Sequence, residues 1–124
     1  MQPVLTITKA LADESRLRIL RWLAEGELCL CQIVAMIELA PSTVSRHVGV
    51  LVQSGLVESR KDGKWTYYQL SHAKEPAIIR QTHKWLAKVA CEDEQSRADL
   101  KRLKQIRQQD PSQLCEITYG KSDT

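Results

Sequence analysis

Apolar residues recur along this chain with two different periods. The change between them divides it into a helical block, a short extended block and a second helical block. Residues 3–12 predict a short first helix with Leu5, Ala10 and Leu11 apolar. Asp13 offers an N-cap for a second helix over about 14–24, where Leu17, Leu20 and Leu23 fall on one side and Gly26 ends the run. A third helix is predicted over about 30–38, burying Ile33, Met36 and Ile37. Pro41 suits the first position of a fourth, because its missing N–H would be unpaired there anyway. In that helix Val44, Val48, Leu51 and Val52 follow the i, i+4, i+7, i+8 pattern of a core face. Ser42, Ser45, Arg46 and Gly49 face the other way, and Gly55 closes the helix.

The period then shortens to two. Residues 56–61 and 65–70, rich in Val, Thr, Trp and Tyr, flank Asp62-Gly63, a dipeptide diagnostic of a type I′ hairpin turn. Alternation places Thr66, Tyr68 and Leu70 inward and Trp65, Tyr67 and Gln69 outward. After Pro76 the helical period returns up to about Gln109. Ile79, Thr82, Leu86 and Val89 form a seam spaced like a coiled coil, broken by residues 91–95. Ser96 and Asp99 have capping-box spacing for a further helix carrying Leu100, Leu103 and Ile106. From Asp110 the chain is polar and reads as a flexible tail. The pattern predicts a mainly α fold with a small β-hairpin in the plan of a winged helix-turn-helix, its terminal helices left to pair as a homodimer. Residues 1–92 are expected to form the winged helix-turn-helix domain with its pairing helices, 93–109 a C-terminal helix and 110–124 the tail.

Composition narrows the function. A length of 124 residues fits one domain, and three Trp, three Tyr and no Phe call for an aliphatic core. No apolar run is long enough for a membrane span, and the N-terminus lacks a signal-peptide pattern. The four cysteines, at 29, 31, 91 and 115, have no regular disulfide spacing, so they are expected to be reduced thiols in a cytoplasm. Net charge is +3, with Arg46, Arg60, Lys61 and Lys64 concentrated within twenty residues against Glu58 and Asp62. There is no nucleophile–base–orienter set, no phosphate-binding glycine loop and no Cys-x-x-Cys, so no catalysis is expected.

Two short, tightly joined helices followed by a basic hairpin suit DNA reading. Ser42, Thr43 and Ser45 can donate to and accept from base edges. Arg46 can fork onto guanine or hold a phosphate, and His47 faces either DNA or the neighbouring helix. Arg60, Lys61 and Lys64 would lie along the backbone or an adjacent minor groove. From about Ala10 to Leu70 the chain resembles the ArsR/SmtB family of metalloregulatory repressors. The matching runs are Leu11-Ala12-Asp13-Glu14-Ser15-Arg16-Leu17-Arg18-Ile19-Leu20, Glu27-Leu28-Cys29-Leu30-Cys31, Ser42-Thr43-Val44-Ser45-Arg46-His47 and Gly63-Lys64-Trp65. The resemblance implies homodimers that occupy double-stranded operator DNA and repress an operon until a toxic ion binds. Pro41 departs from the polar residue common there, which removes a base contact.

Cys29 and Cys31 are the candidate inducer ligands. Residues i and i+2 of a regular helix point about 200° apart, so the pair can chelate one ion only where the third helix is frayed. Such binding would hold the start of that helix non-helical and tilt the fourth helix with it. Soft thiolates select thiophilic ions. The Glu-Leu-Cys-x-Cys run resembles the arsenite- and antimonite-responsive members, which implies As(III) or Sb(III) as inducer. Those members often carry a third cysteine where this chain has Val34, so Cys91, Cys115, solvent or a small thiol stands open as third donor. Zinc-sensing relatives use Asp/His and His/Glu pairs on the long C-terminal helix. Here Leu86 follows His83 at the carboxylate spacing, so His72 and His83 are read as polar surface or helix-start residues. The alternatives are a thiol-redox or persulfide switch on the same fold and a winged-helix module used only for protein contacts.

Overall fold

A computed structural model describes residues 1–72, 76–89 and 93–119, with side chains through Cys115. The described elements run α1 (Gln2–Leu11), α2 (Glu14–Leu23), β1 (Leu28–Cys29), α3 (Leu30–Met36), α4 (Pro41–Ser54), β2 (Val57–Asp62), β3 (Trp65–Leu70), α5 (Ala77–Val89), α6 (Glu94–Gln108) and α7 (Pro111–Tyr119). The three strands form one antiparallel sheet in the order β1-β3-β2.

The core is aliphatic around one indole: Trp22, Ile19, Leu28, Ile33, Leu51 and Leu56 are the largest fully buried side chains. Asp13 caps α2 by accepting from the Arg16 N–H at 3.1 Å. The buried face of α2 is Ile19, Leu20, Trp22 and Leu23, whereas Leu17, expected inward, is exposed. Ile33, Met36 and Ile37 are buried as the pattern predicts, as are Val44, Val48 and Leu51 of α4. Gly55 ends α4 with φ of 87°, and a Cβ there would stand 3.3 Å from Ile79 of α5. The left-handed turn and the close packing of α5 both require glycine.

Several expectations change. The hairpin turn is Gly63-Lys64 rather than Asp62-Gly63, because Asp62 still pairs with Trp65. Gly63 has φ of 65° and no non-glycine residue among those described has positive φ, so the turn follows the II′ pattern. Every residue of β3 is half-buried instead of alternating: it is the central strand, and Trp65, Tyr67, Tyr68 and Leu70 all pack against the core. Helix α6 is capped by Asp93, which accepts from the Ser96 N–H at 2.8 Å, so Ser96 is not the cap. Asp99 turns inward and takes two hydrogen bonds of 2.9 Å from Arg18 of α2. The expected polar tail contains α7, where Leu114 is buried and Cys115 reaches the core.

The terminal helices leave an apolar face uncovered. Val4 and Leu5 of α1 and Trp85 and Val89 of α5 are exposed. A groove of about 310 Å³ runs between the two helices past Ile7, Leu11, Ile78 and Thr82. Of the predicted seam, Ile79 is buried within the protomer. No helix among the described residues is long and apolar enough to cross a membrane.

Candidate nucleic-acid interface and thiol site

The outer face of α4 follows from its inner one. With Val44, Val48 and Leu51 fixed in the core, the helical period places Ser42, Ser45, Arg46 and Gly49 in solvent. Thr43 is half-buried. His47 is half-buried too, with its Nδ1 3.1 Å from the Arg16 guanidinium. A guanidinium only donates, so that nitrogen accepts. Arg16 also donates to the Ala10 and Lys9 carbonyls at 2.7 and 3.0 Å, so His47 belongs to the α1–α2–α4 junction. Lys61 and Lys64 are exposed at the end of the hairpin. Arg60 is not free: it donates to both carboxylate oxygens of Glu27, at 2.9 and 2.7 Å, and lies 3.7 Å from Asp62. Its guanidinium also sits 4.7 Å from the centre of the Tyr67 ring. The paired hydrogen bonds from Arg60 hold the Glu27 carboxyl below the usual carboxylate range.

Cys29 is already outside the helix it precedes. Its φ and ψ of −83° and 163° are extended, it is the N-cap of α3, and its backbone pairs with Tyr67 of β3. Gln32 accepts from the Cys29 N–H at 2.9 Å, while the first-turn amides of Cys31 and Gln32 face the Cys29 sulfur. Burial pushes the Cys29 thiol up, and those amides only partly offset it. Cys29 and Cys31 therefore do not share regular helical spacing, in keeping with a helix that starts only at Leu30.

Cys31 is not a reduced thiol here. It is disulfide-bonded to Cys115 of α7, 84 residues away, with Cα atoms 5.2 Å apart, and Cys29 is the free cysteine among the described residues. Cys91 lies outside the described residues. His72 is exposed, with Nε2 3.2 Å from Glu58. His83, expected at the surface, is half-buried against the Leu56 backbone, and burial lowers its pKa. No three His, Cys, Asp or Glu among the described residues are assembled as a metal cluster.

Sequence reasoning missed three groups that shape the site: strand β1, the Glu27–Arg60 pair and the Arg18–Asp99 pair. The first two had a signal in the apolar Leu28 beside an acidic residue ahead of α3. The third joins positions 81 apart and had none.

Residues 13–59 match the model for bacterial regulatory proteins of the arsR family. An arsenical resistance operon repressor of Escherichia coli K12 is 40% identical over 101 residues, covering 77% of this chain and 80% of that protein. The chain belongs to the ArsR family. An arsenical resistance operon repressor of Staphylococcus aureus is 47% identical over 75 residues, 60% of this chain and 72% of that one. Among solved structures, the homodimeric winged helix-turn-helix DNA-binding domain of a possible ArsR-family regulator from Mycobacterium bovis superposes with a TM-score of 0.61. It is 30% identical and covers 72% of this chain and 79% of its own. This ArsR-family chain is thus a winged-helix transcriptional repressor and not an enzyme.

Proposed function

We propose that this ArsR-family repressor occupies operator DNA as a homodimer and releases it when As(III) or Sb(III) binds Cys29 and Cys31. The observation that carries the reading is the position of Cys29. It is at once the N-cap of α3, separated by one residue from Cys31 in the first turn, and a backbone partner of the hairpin strand β3. A thiophilic ion offers bonds to thiolate sulfur that neither DNA nor water competes for. The residues present fit it in type: two cysteines border one helix start, one of them free, with first-turn amides that partly offset the burial of the Cys29 thiol.

Drawing the Cys29 sulfur toward Cys31 competes with its first-turn amide contacts and strains the β1–β3 pairing. Both the hairpin and the α3–α4 unit are attached to that segment, so the DNA-competent pose is biased from two sides. Ser42, Ser45 and Arg46 read base edges, Thr43 and His47 support the helix, and Lys61 and Lys64 hold phosphate. Arg60 joins them only by leaving Glu27. The α1–α5 groove, lined by the exposed Val4 and Trp85, is the dimer contact. The relatives' names as arsenical resistance repressors support the inducer, and a homodimeric relative supports the assembly.

A titration of arsenite into reduced protein on operator DNA, read by fluorescence anisotropy, tests this. Release is expected for the parent and lost in the Cys29→Ser/Cys31→Ser variant, with DNA affinity retained. Unaltered release in that variant sinks the assignment. The Cys31–Cys115 disulfide favours a second reading, release on thiol oxidation. The same titration with diamide in place of arsenite reports on it.

A further inference from the structure

We infer that Cys115 is the third thiolate of the inducer site, delivered to α3 by the C-terminal helices of the same protomer. The inference rests on the metalloid reading above and completes its donor set.

The placement is built rather than incidental. Helix α6 is fastened at three points. Arg18 of α2 grips Asp99 with two hydrogen bonds, Arg102 donates to the Ala35 carbonyl near the end of α3 at 3.0 Å, and the Arg107 guanidinium lies over Gly26. Leu103 and Ile106 are buried beneath it. After the break at Asp110, α7 turns back, buries Leu114 and packs along α3. Cys115 follows immediately, with its Cα 5.2 Å from that of Cys31, within reach of a shared bond. Cys29 is the N-cap of the same turn that carries Cys31, so the Cys31–Cys115 pair and Cys29 border one helix start, although the disulfide form does not gather the three as a ligand cluster. The chain has Val34 one helical turn beyond Cys31, where a helix-borne third sulfur would stand, and Val34 is half-buried beside the core. The sulfur comes from α7 instead.

In the disulfide form two of these sulfurs are spent on each other. A dithiol reductant restores them: two electrons and two protons pass to Cys31 and Cys115 as the reductant becomes a cyclic disulfide. The three thiols then displace three hydroxyls from arsenous acid, each thiol proton leaving with a hydroxyl as water, and three As–S bonds form with no change of oxidation state.

The test is X-ray absorption at the arsenic edge on the reduced full chain with one equivalent of arsenite, beside a count of reagent-accessible thiols. The parent and Cys91→Ser are expected to show three sulfurs around arsenic. Cys115→Ser is expected to show two sulfurs and one oxygen, and to need about tenfold or more arsenite for half-release of DNA, since a tethered donor is lost. Three sulfurs retained in Cys115→Ser overturn the inference while leaving Cys29 and Cys31 as ligands. No As–S bond in the parent overturns the metalloid reading itself. Leu114→Ala, which loosens α7 without removing the thiol, separates docking from ligation: three sulfurs at a raised arsenite requirement support the strap. Partial oxidation followed by peptide mapping is expected to give the Cys31–Cys115 link, and Cys115 linked only between chains overturns the single-protomer placement.

Discussion

Helices α3 and α4 are neighbours in sequence and opposites in construction. Helix α4 carries its own boundaries, Pro41 at its start and a left-handed Gly55 at its end, and 14 residues of regular period between them. Helix α3 has seven residues, an extended cysteine as N-cap and an extended Ile37 at its end. Its N-terminus is held by a strand pair to β3, its Ala35 carbonyl by Arg102, and its flank by α6 and α7. Helix α4 is thus specified locally, and the thiol-bearing α3 is held in place by distant parts of the chain. That division suits a sensor, because an element kept in place by tertiary contacts is the one a ligand can bias.

The contrast can be broken from either side. The largest effect is expected from Leu51→Ala, which opens a cavity under α4 where the two helices share a core. A loss of about 2–5 kcal/mol in urea unfolding, with both elements melting together, is expected. Separate transitions would mean that α3 is not part of the same cooperative unit.

Next is Arg46→Ala, on the exposed face of α4. Specific DNA binding should weaken by about 1–3 kcal/mol, with the arsenite midpoint of metal binding unmoved. A shift in both would contradict the independence of reader and thiol element.

Asp99→Asn, which unfastens α6, should cost about 1–3 kcal/mol of stability and leave α4 intact by hydrogen exchange. Burial raises the Asp99 carboxyl, but the Arg18 and Gln95 hydrogen bonds more than offset it, so its folded pKa lies below the ordinary carboxylate value. The stabilisation is therefore complete above about pH 4 and fades as pH falls through the lowered value. Urea midpoints of parent and variant should converge there; a constant gap would contradict this.

The smallest effects belong to the hairpin. Lys64→Ala should lower the salt slope of DNA binding by about one. Glu27→Gln, which frees Arg60, should raise the slope by no more than about one. No rise would place Arg60 away from phosphate even when released.

Much of the molecule was legible in the chain. Asp13, Pro41 and Gly55 mark helix ends by local chemistry, and the core face of α4 repeats regularly enough to place Ser42, Ser45 and Arg46 outside. The hairpin was legible too, but its turn lies one residue later, because glycine is tolerated best at the first central position of a II′ turn. Leu17, Arg60 and Ser96 were misplaced for a common reason: each pattern fits locally, and another residue took the position. Trp22 took the core, Glu27 took the guanidinium and Asp93 took the cap.

The thiol pair Cys29-Leu30-Cys31, the serine-rich start of α4 and the basic hairpin were enough to mark this chain as a winged-helix regulator of the ArsR family. These signals lie within a few residues of one another, so period and spacing expose them. Only the tertiary structure decided that Cys29 is a strand residue tied to Tyr67, that Glu27 occupies Arg60, and that Cys115 stands against Cys31. Each of those joins positions 33 or more apart. Such contacts exist only once the core has brought the elements together, and no local period records them.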